Sequence, residues 1–173
     1  MKKSNLETAL DLSPRMKIIS LHLLLAVAMQ SFCRADVTSL SAEHYKAFKD
    51  SSRFHEIHTT TNLPPTIVAL CADDSGRLAE PGQKWEATDV ITDAALPRKR
   101  LIWAATDGEH YVVHYERGGR AHSFHVLVTT FKKENYAKPK DRWRGVGDKL
   151  KDFPAFLDAL LSGKLDDRPG HAH

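Results

Sequence analysis

Two cysteines, Cys33 and Cys71, are all that the 173 residues carry, too few for the disulfide frameworks that hold many small secreted domains together. No Gly-x-Ser-x-Gly elbow and no Walker-type phosphate loop occurs, so two common routes to catalysis go unsignalled. Gly118-Gly119 precedes a strand-like run rather than a helix, and no Lys-Ser or Lys-Thr follows it, so it lacks the anion-binding geometry. Asp73-Asp74-Ser75-Gly76 opens like a calcium loop but lacks the later ligands and reads as a turn. No internal repeat, heptad array or low-complexity block is present, and one domain suffices.

Long apolar spans are missing too. The longest, Ile18 to Met29 with His22 inside it, follows the basic start Met16-Lys17 and precedes Cys33-Arg34-Ala35. It falls well short of the roughly 20 residues that cross a bilayer, and it reads as a secretory signal peptide cleaved after Ala35. No stable membrane span is then expected in the mature chain. The fifteen residues before Met16 add nothing that such a leader needs, so Met16 is the expected start. Acylation of Cys33 is disfavoured because Phe32 stands where a small residue is required. The expected domain is residues 36–173, exported to a periplasm or secreted.

An excess of one charge is missing once the leader is removed. The whole chain carries +3, from 25 basic and 22 acidic residues. Subtracting the leader's five basic and two acidic residues leaves 20 of each. The basicity belongs to the leader, and nucleic acid is excluded as an expected partner. Cys71 remains as a lone thiol inside the apolar run Thr66 to Ala72, read as a strand with the thiol buried and inert.

What the mature sequence does contain is periodicity. Ala42, Tyr45 and Phe48, behind Ser39 or Ser41 as N-cap, predict a short amphipathic helix packing through Tyr45 and Phe48. Thr59 to Pro65 is a turn and polyproline stretch, and Lys84 to Ile91 is a weak strand candidate. Arg100–Ala105, His110–Glu116 and Arg120–Phe131 are rich in β-branched and aromatic residues and are joined by Asp107-Gly108 and Gly118-Gly119, both hairpin signals. The basic stretch Lys132 to Arg144, interleaved with Tyr136 and Trp143, reads as a solvated loop. Leu150, Phe153, Phe156, Leu157, Leu160 and Leu161 predict a helix from Asp148 to Ser162, with either a kink at Pro154 or a later start near Asp152. The expected class is α+β: an antiparallel meander of four to five strands, a short N-terminal helix, and a C-terminal amphipathic helix packed on the sheet.

A two-residue Gly118-Gly119 turn would pair His114 with Ser123 and Val112 with His125. Tyr111, Val113, Tyr115, Phe124, Val126 and Val128 would then share one face, a core. His110, Val112, His114, Glu116, Ser123, His125 and Leu127 would share the other, with Leu101, Trp103 and Ala105. Such a face is either covered by a helix or lines a pocket. In that register a base, a hydroxyl and a second imidazole meet, so His114, Ser123 and His125 are the catalytic candidates, and His114 with His125 the metal candidates. His110 and His114, four residues apart on a strand, stand roughly 13 Å apart and cannot share an ion.

No orienting acid or oxyanion hole accompanies the Ser-His pair, and two imidazoles lack a fixed third ligand. The expectation is therefore a non-enzymatic binding module with no cofactor, taking a protein or small-molecule ligand. Trp103, His110, Arg117 and Arg120 are its expected contact residues. The alternative is a small hydrolase or metal-dependent enzyme using His114, Ser123 and His125.

Overall fold

The β-branched and aromatic runs pair as consecutive antiparallel strands, each beside its neighbour in sequence. In the computed structural model, which describes residues 39–132 and 138–165, the strands are β1 (His55–Ile57), β2 (Lys99–Thr106), β3 (His110–Arg117), β4 (Ser123–Thr130) and β5 (Lys140–Gly147). They form one five-stranded sheet in the order β1-β2-β3-β4-β5. Three α-helices accompany it: α1 (Ala42–Phe48), α2 (Pro65–Cys71) and α3 (Phe153–Leu161). The α+β meander with its C-terminal helix is therefore the architecture of this chain. The leader with Cys33, residues Lys133 to Ala137 and the tail from Asp166 lie outside the described residues.

Both faces of the sheet are covered. On one, Trp103, Ala105, Val112, Val126, Val128 and Trp143 pack with Leu40, Phe48, Leu150, Phe153, Phe156 and Ala159, so α1 and α3 share this layer. On the other, Leu101, Ala104, Tyr111, Val113, Tyr115 and Leu127 pack with Leu63, Ile67 and Cys71, which belong to α2 and the turn before it. Burying each large apolar side chain contributes about 1.5–3 kcal/mol, and the chain obtains this from two half-cores. Cys71 is fully buried, and burial pushes its thiol pKa up to about 12.

Several elements depart from their sequence-based expectation. Thr66 to Ala72 is not a strand: Pro65 opens α2, and Ile67 and Cys71, four apart, are its fully buried residues. A short apolar run has no alternation with which to declare itself a strand. Lys84 to Ile91 forms no strand either, because the Glu86 carboxylate folds the segment by accepting from Thr92 Oγ1 (2.7 Å) and Asp93 N (2.6 Å). The basic stretch is not wholly a loop, since Lys140–Gly147 is the edge strand β5, with Trp143 turned inward. Charged residues on an edge strand discourage further strand addition.

Helix α3 starts at Asp152 rather than Asp148: the Asp152 carboxylate accepts from Ala155 N at 2.9 Å, and Pro154 falls in the first turn, where it costs no hydrogen bond. Tyr45 and Leu161 point to solvent at 45% and 80% exposure, and His44 takes the buried place expected of Tyr45.

The largest correction concerns the β3–β4 register. Arg117 pairs with Ser123, Tyr115 with His125 and His114 with Val126, three residues away from the register of a Gly-Gly turn. An odd shift turns β4 over. Val126 and Val128 therefore join Val112 and Trp103, while Leu127 joins Tyr111 and Val113. A bulge at Ile102 sends Leu101 to the Tyr115 face and leaves Trp103 and Ala105 opposite His114 and Val112.

Gly118 explains the shift. Its N–H donates to Arg98 O at 2.9 Å, so it continues the β2–β3 ladder instead of turning. The Glu86-Ala87 backbone passes directly over its Cα, and a Cβ there would collide with the Glu86 carbonyl oxygen. Glycine is needed at 118 for close approach, and the connection lengthens to five residues, Gly118–His122. Gly118→Ala is expected to lose about 1–3 kcal/mol in denaturant unfolding, whereas Gly108→Ala, whose position is open, should lose only what its φ of 97° demands. Equal losses would remove the close-approach explanation.

Candidate functional site

The residues expected to form one site separate into three places. His114 and Trp103 are buried at 0% and 1% exposure, facing the α3 layer. His114 Nδ1 donates to His125 O at 3.0 Å, and its Nε2 accepts from Leu150 N at 3.0 Å. The Trp103 indole N–H donates to Leu150 O at 2.9 Å. Both backbone groups of Leu150 are thus satisfied by side chains from the sheet, which pins the entry to α3. Neither nitrogen of His114 is left over for a metal or a proton transfer. His125 lies on the opposite face, stacked on Tyr115 at 5.2 Å between centroids; His114 and His125 do not come together.

His110 sits at the far end of β3, buried, with Nδ1 donating to Asp107 Oδ2 at 3.1 Å. It belongs to neither of the other groups.

Arg117, Arg120 and Ser123 do come together. They line a groove of about 780 Å³, with Arg98 and Lys99 on the same wall. Lys99 pairs with Arg117 and Arg117 with Ser123, so an ammonium, a guanidinium and a hydroxyl stand in one row across three strands. Ser123 Oγ and His125 Nε2 share a hydrogen bond of 2.8 Å. Arg117 and Arg120 are exposed.

Of the four acidic residues that line the groove, Asp73 and Glu86 are engaged in its wall, while Asp74 and Asp89 are exposed. Asp73 Oδ1 accepts from Ser75 N (2.9 Å) and Arg77 N (3.1 Å), while Oδ2 accepts from Arg98 N (2.8 Å). Burial opposes the charge on Asp73, but the Ser75 hydroxyl and these N–H groups outweigh it and hold the carboxyl below its usual range. Glu86 is likewise held low, first by the Thr92 hydroxyl and then by Asp93 N–H. Lys99 donates to Ala72 O (2.8 Å) and Arg144 to Leu70 O (3.1 Å), cations set at the C-terminal end of α2. Burial, then Arg144, depresses Lys99. Burial likewise lowers the His125 pKa to about 4, followed by Arg117, Lys99 and Arg144.

Arg98-Lys99-Arg100, readable from sequence as a guard against aggregation, divides three ways. Arg98 and Lys99 line the groove, while Arg100 pairs with buried Glu116 at 2.6 Å and lies over the Trp85 ring. His122 closes that ion pair at 2.8 Å from Glu116. The alternation of Lys99 with Leu101, the residue two further on, was the one sequence signal that Lys99 shares a face with the core. Compared with known proteins, the chain matches no family model, no curated protein and no solved structure.

His114 gives this arrangement a pH dependence. Burial lowers its pKa from 6.5 to about 4, because protonating Nε2 would evict the Leu150 N–H. The unfolded chain takes the proton first, so stability is complete above pH 6.5 and is lost as pH falls toward 4. A shift of that size corresponds to about 3 kcal/mol. Urea melts across this window should show the loss, and His114→Gln should remove about half of it, leaving the part that the equally lowered His125 contributes, while lowering stability at neutral pH by about 1–3 kcal/mol. A wild-type profile with no slope there would refute the assignment.

Proposed function

We propose that this protein is an exported, non-catalytic binding module whose groove takes a small carboxylate- or phosphate-bearing molecule on Arg117 and Arg120. The observation that carries the proposal is the row Lys99, Arg117, Ser123 at the groove wall. Cations gathered on one side of a groove repel one another, and an incoming anion relieves that repulsion while gaining charge-assisted hydrogen bonds. Ser123 supplies a neutral hydroxyl beside them, and a neutral His125 holds that hydroxyl in place at 2.8 Å. The groove's size suits a small molecule. Export rests on the leader sequence alone, and the exported product is expected to begin at Asp36 by mass measurement.

The Ser123–His125 hydrogen bond favours a second reading, a hydrolase with Ser123 as nucleophile. Against it, a histidine whose pKa lies near 4 is a weak base at neutral pH. A serine-directed phosphonate probe should leave Ser123 unlabelled; labelling that disappears in Ser123→Ala would turn the reading toward catalysis.

For the binding reading, titration of the full chain with inorganic phosphate and with citrate, followed by NMR, should give saturable shifts of the His125 ring. Replacing either arginine by alanine should weaken binding about tenfold or more, the cost of one charge-assisted hydrogen bond. Absence of saturable binding to both probes, or an Arg117→Ala/Arg120→Ala variant that binds like wild type, would sink the proposal.

A further inference from the structure

At the end of the sheet away from the groove, Glu43, Glu109 and His110 each place a potential ligand atom within 4.8 Å of the others. We propose that these three side chains form a binding site for a divalent transition-metal ion such as zinc, with Asp107 orienting the imidazole. Acidic neighbours alone would not carry this. His110 does, because its Nε2 is buried and has no hydrogen-bond partner among the described residues, a costly state for a polar atom in a folded chain.

The tautomer follows from Asp107. Its Oδ1 accepts from Glu109 N (3.0 Å) and His110 N (2.8 Å), and its Oδ2 accepts from His110 Nδ1 (3.1 Å). With the proton on Nδ1 engaged by a carboxylate, Nε2 carries the free lone pair. A carboxylate holding the far side of a ligating histidine is the arrangement that fixes ring orientation and raises ligand basicity at metal sites. His44, whose ring meets that of His110 edge-on at 5.7 Å, is a wall rather than a ligand: its nitrogens are already taken by Ser41 Oγ (2.9 Å) and Thr130 Oγ1 (3.1 Å).

One imidazole nitrogen and two carboxylate oxygens suit a borderline divalent ion and leave a fourth position for water. In a tetrahedral site with bonds of about 2.1 Å, ligand atoms stand about 3.4 Å apart. The present spread of up to 4.8 Å must tighten as the ion binds, and Glu43, the exposed member, has the most room to move. Lys132 Nζ now lies 2.6 Å from Glu109 Oε1, a positive charge that an arriving cation would displace. The proposal does not rest on the anion-binding reading, since the groove and this cluster occupy opposite ends of β3.

The test is calorimetric titration of the untagged full chain with zinc chloride, run beside a His171→Ala/His173→Ala variant that removes the terminal histidines. One zinc per chain is expected, retained in that variant, weakened at least tenfold by His110→Ala, and weakened about 10–100-fold by Asp107→Asn. Zinc should shift the His110 Nε2 resonance and leave its Nδ1 proton in place. Should His110→Ala fail to fold, Glu43→Gln, a change at an exposed position, must still weaken zinc at least tenfold. Wild-type affinity in Glu43→Gln, or binding lost only with the terminal histidines, overturns the site.

Discussion

The passage of the Glu86-Ala87 backbone over Gly118 is the contact on which the arrangement of side chains depends. It keeps β3 running against β2 for one residue more than a tight turn would allow. That fixes Arg117 opposite Ser123 and, through the two-residue period of the strand, decides which face every β4 side chain takes. His125 goes to the groove side and His114 to the helix side as a single consequence. The contact lies between a loop and a strand end, yet it sorts the residues of both cores.

Two histidines on neighbouring strands consequently live different lives. His114 serves as a polar bracket inside an apolar layer, donating to one backbone carbonyl and accepting from one backbone N–H, which only a neutral imidazole can do. Its use shows how a chain without regular structure around Leu150 can be buried without stranding backbone groups. His125 stays near solvent, neutral because cations surround it as well as because it is partly covered. Burial acts on both; the Glu116 charge opposes it at His114, whereas the cations around His125 reinforce it.

Much of the architecture was legible because it rests on local signals. Three β-rich runs with glycine-bearing connections announce a meander, and Phe153, Phe156 and Pro154 announce a helix with a late start. The sequence named Arg117, Arg120 and Ser123 singly but set Ser123 with His114 and His125, whereas the structure lines one groove with Ser123 and the two arginines. What depended on pairing was not legible. The approach of a segment thirty residues earlier in the chain to Gly118 leaves no mark in the hairpin's own sequence, and without it the most economical turn puts His114 beside His125. Thr66 to Ala72 failed for a different reason, since a short, mostly apolar run fits a covered strand or a covered helix equally well, and only Pro65 hinted at the latter.

The strand order carries a kinetic meaning. From β2 to β5 each strand meets its successor across a short connection, so that part of the sheet can assemble from contacts close in sequence, the kind that form quickly. Between β1 and β2 the chain makes a long excursion that contains α2 and most of the groove wall. Closing that excursion costs more chain entropy than any hairpin. The groove wall therefore rests on contacts distant in sequence, while the sheet beneath it rests on contacts between neighbours in the chain.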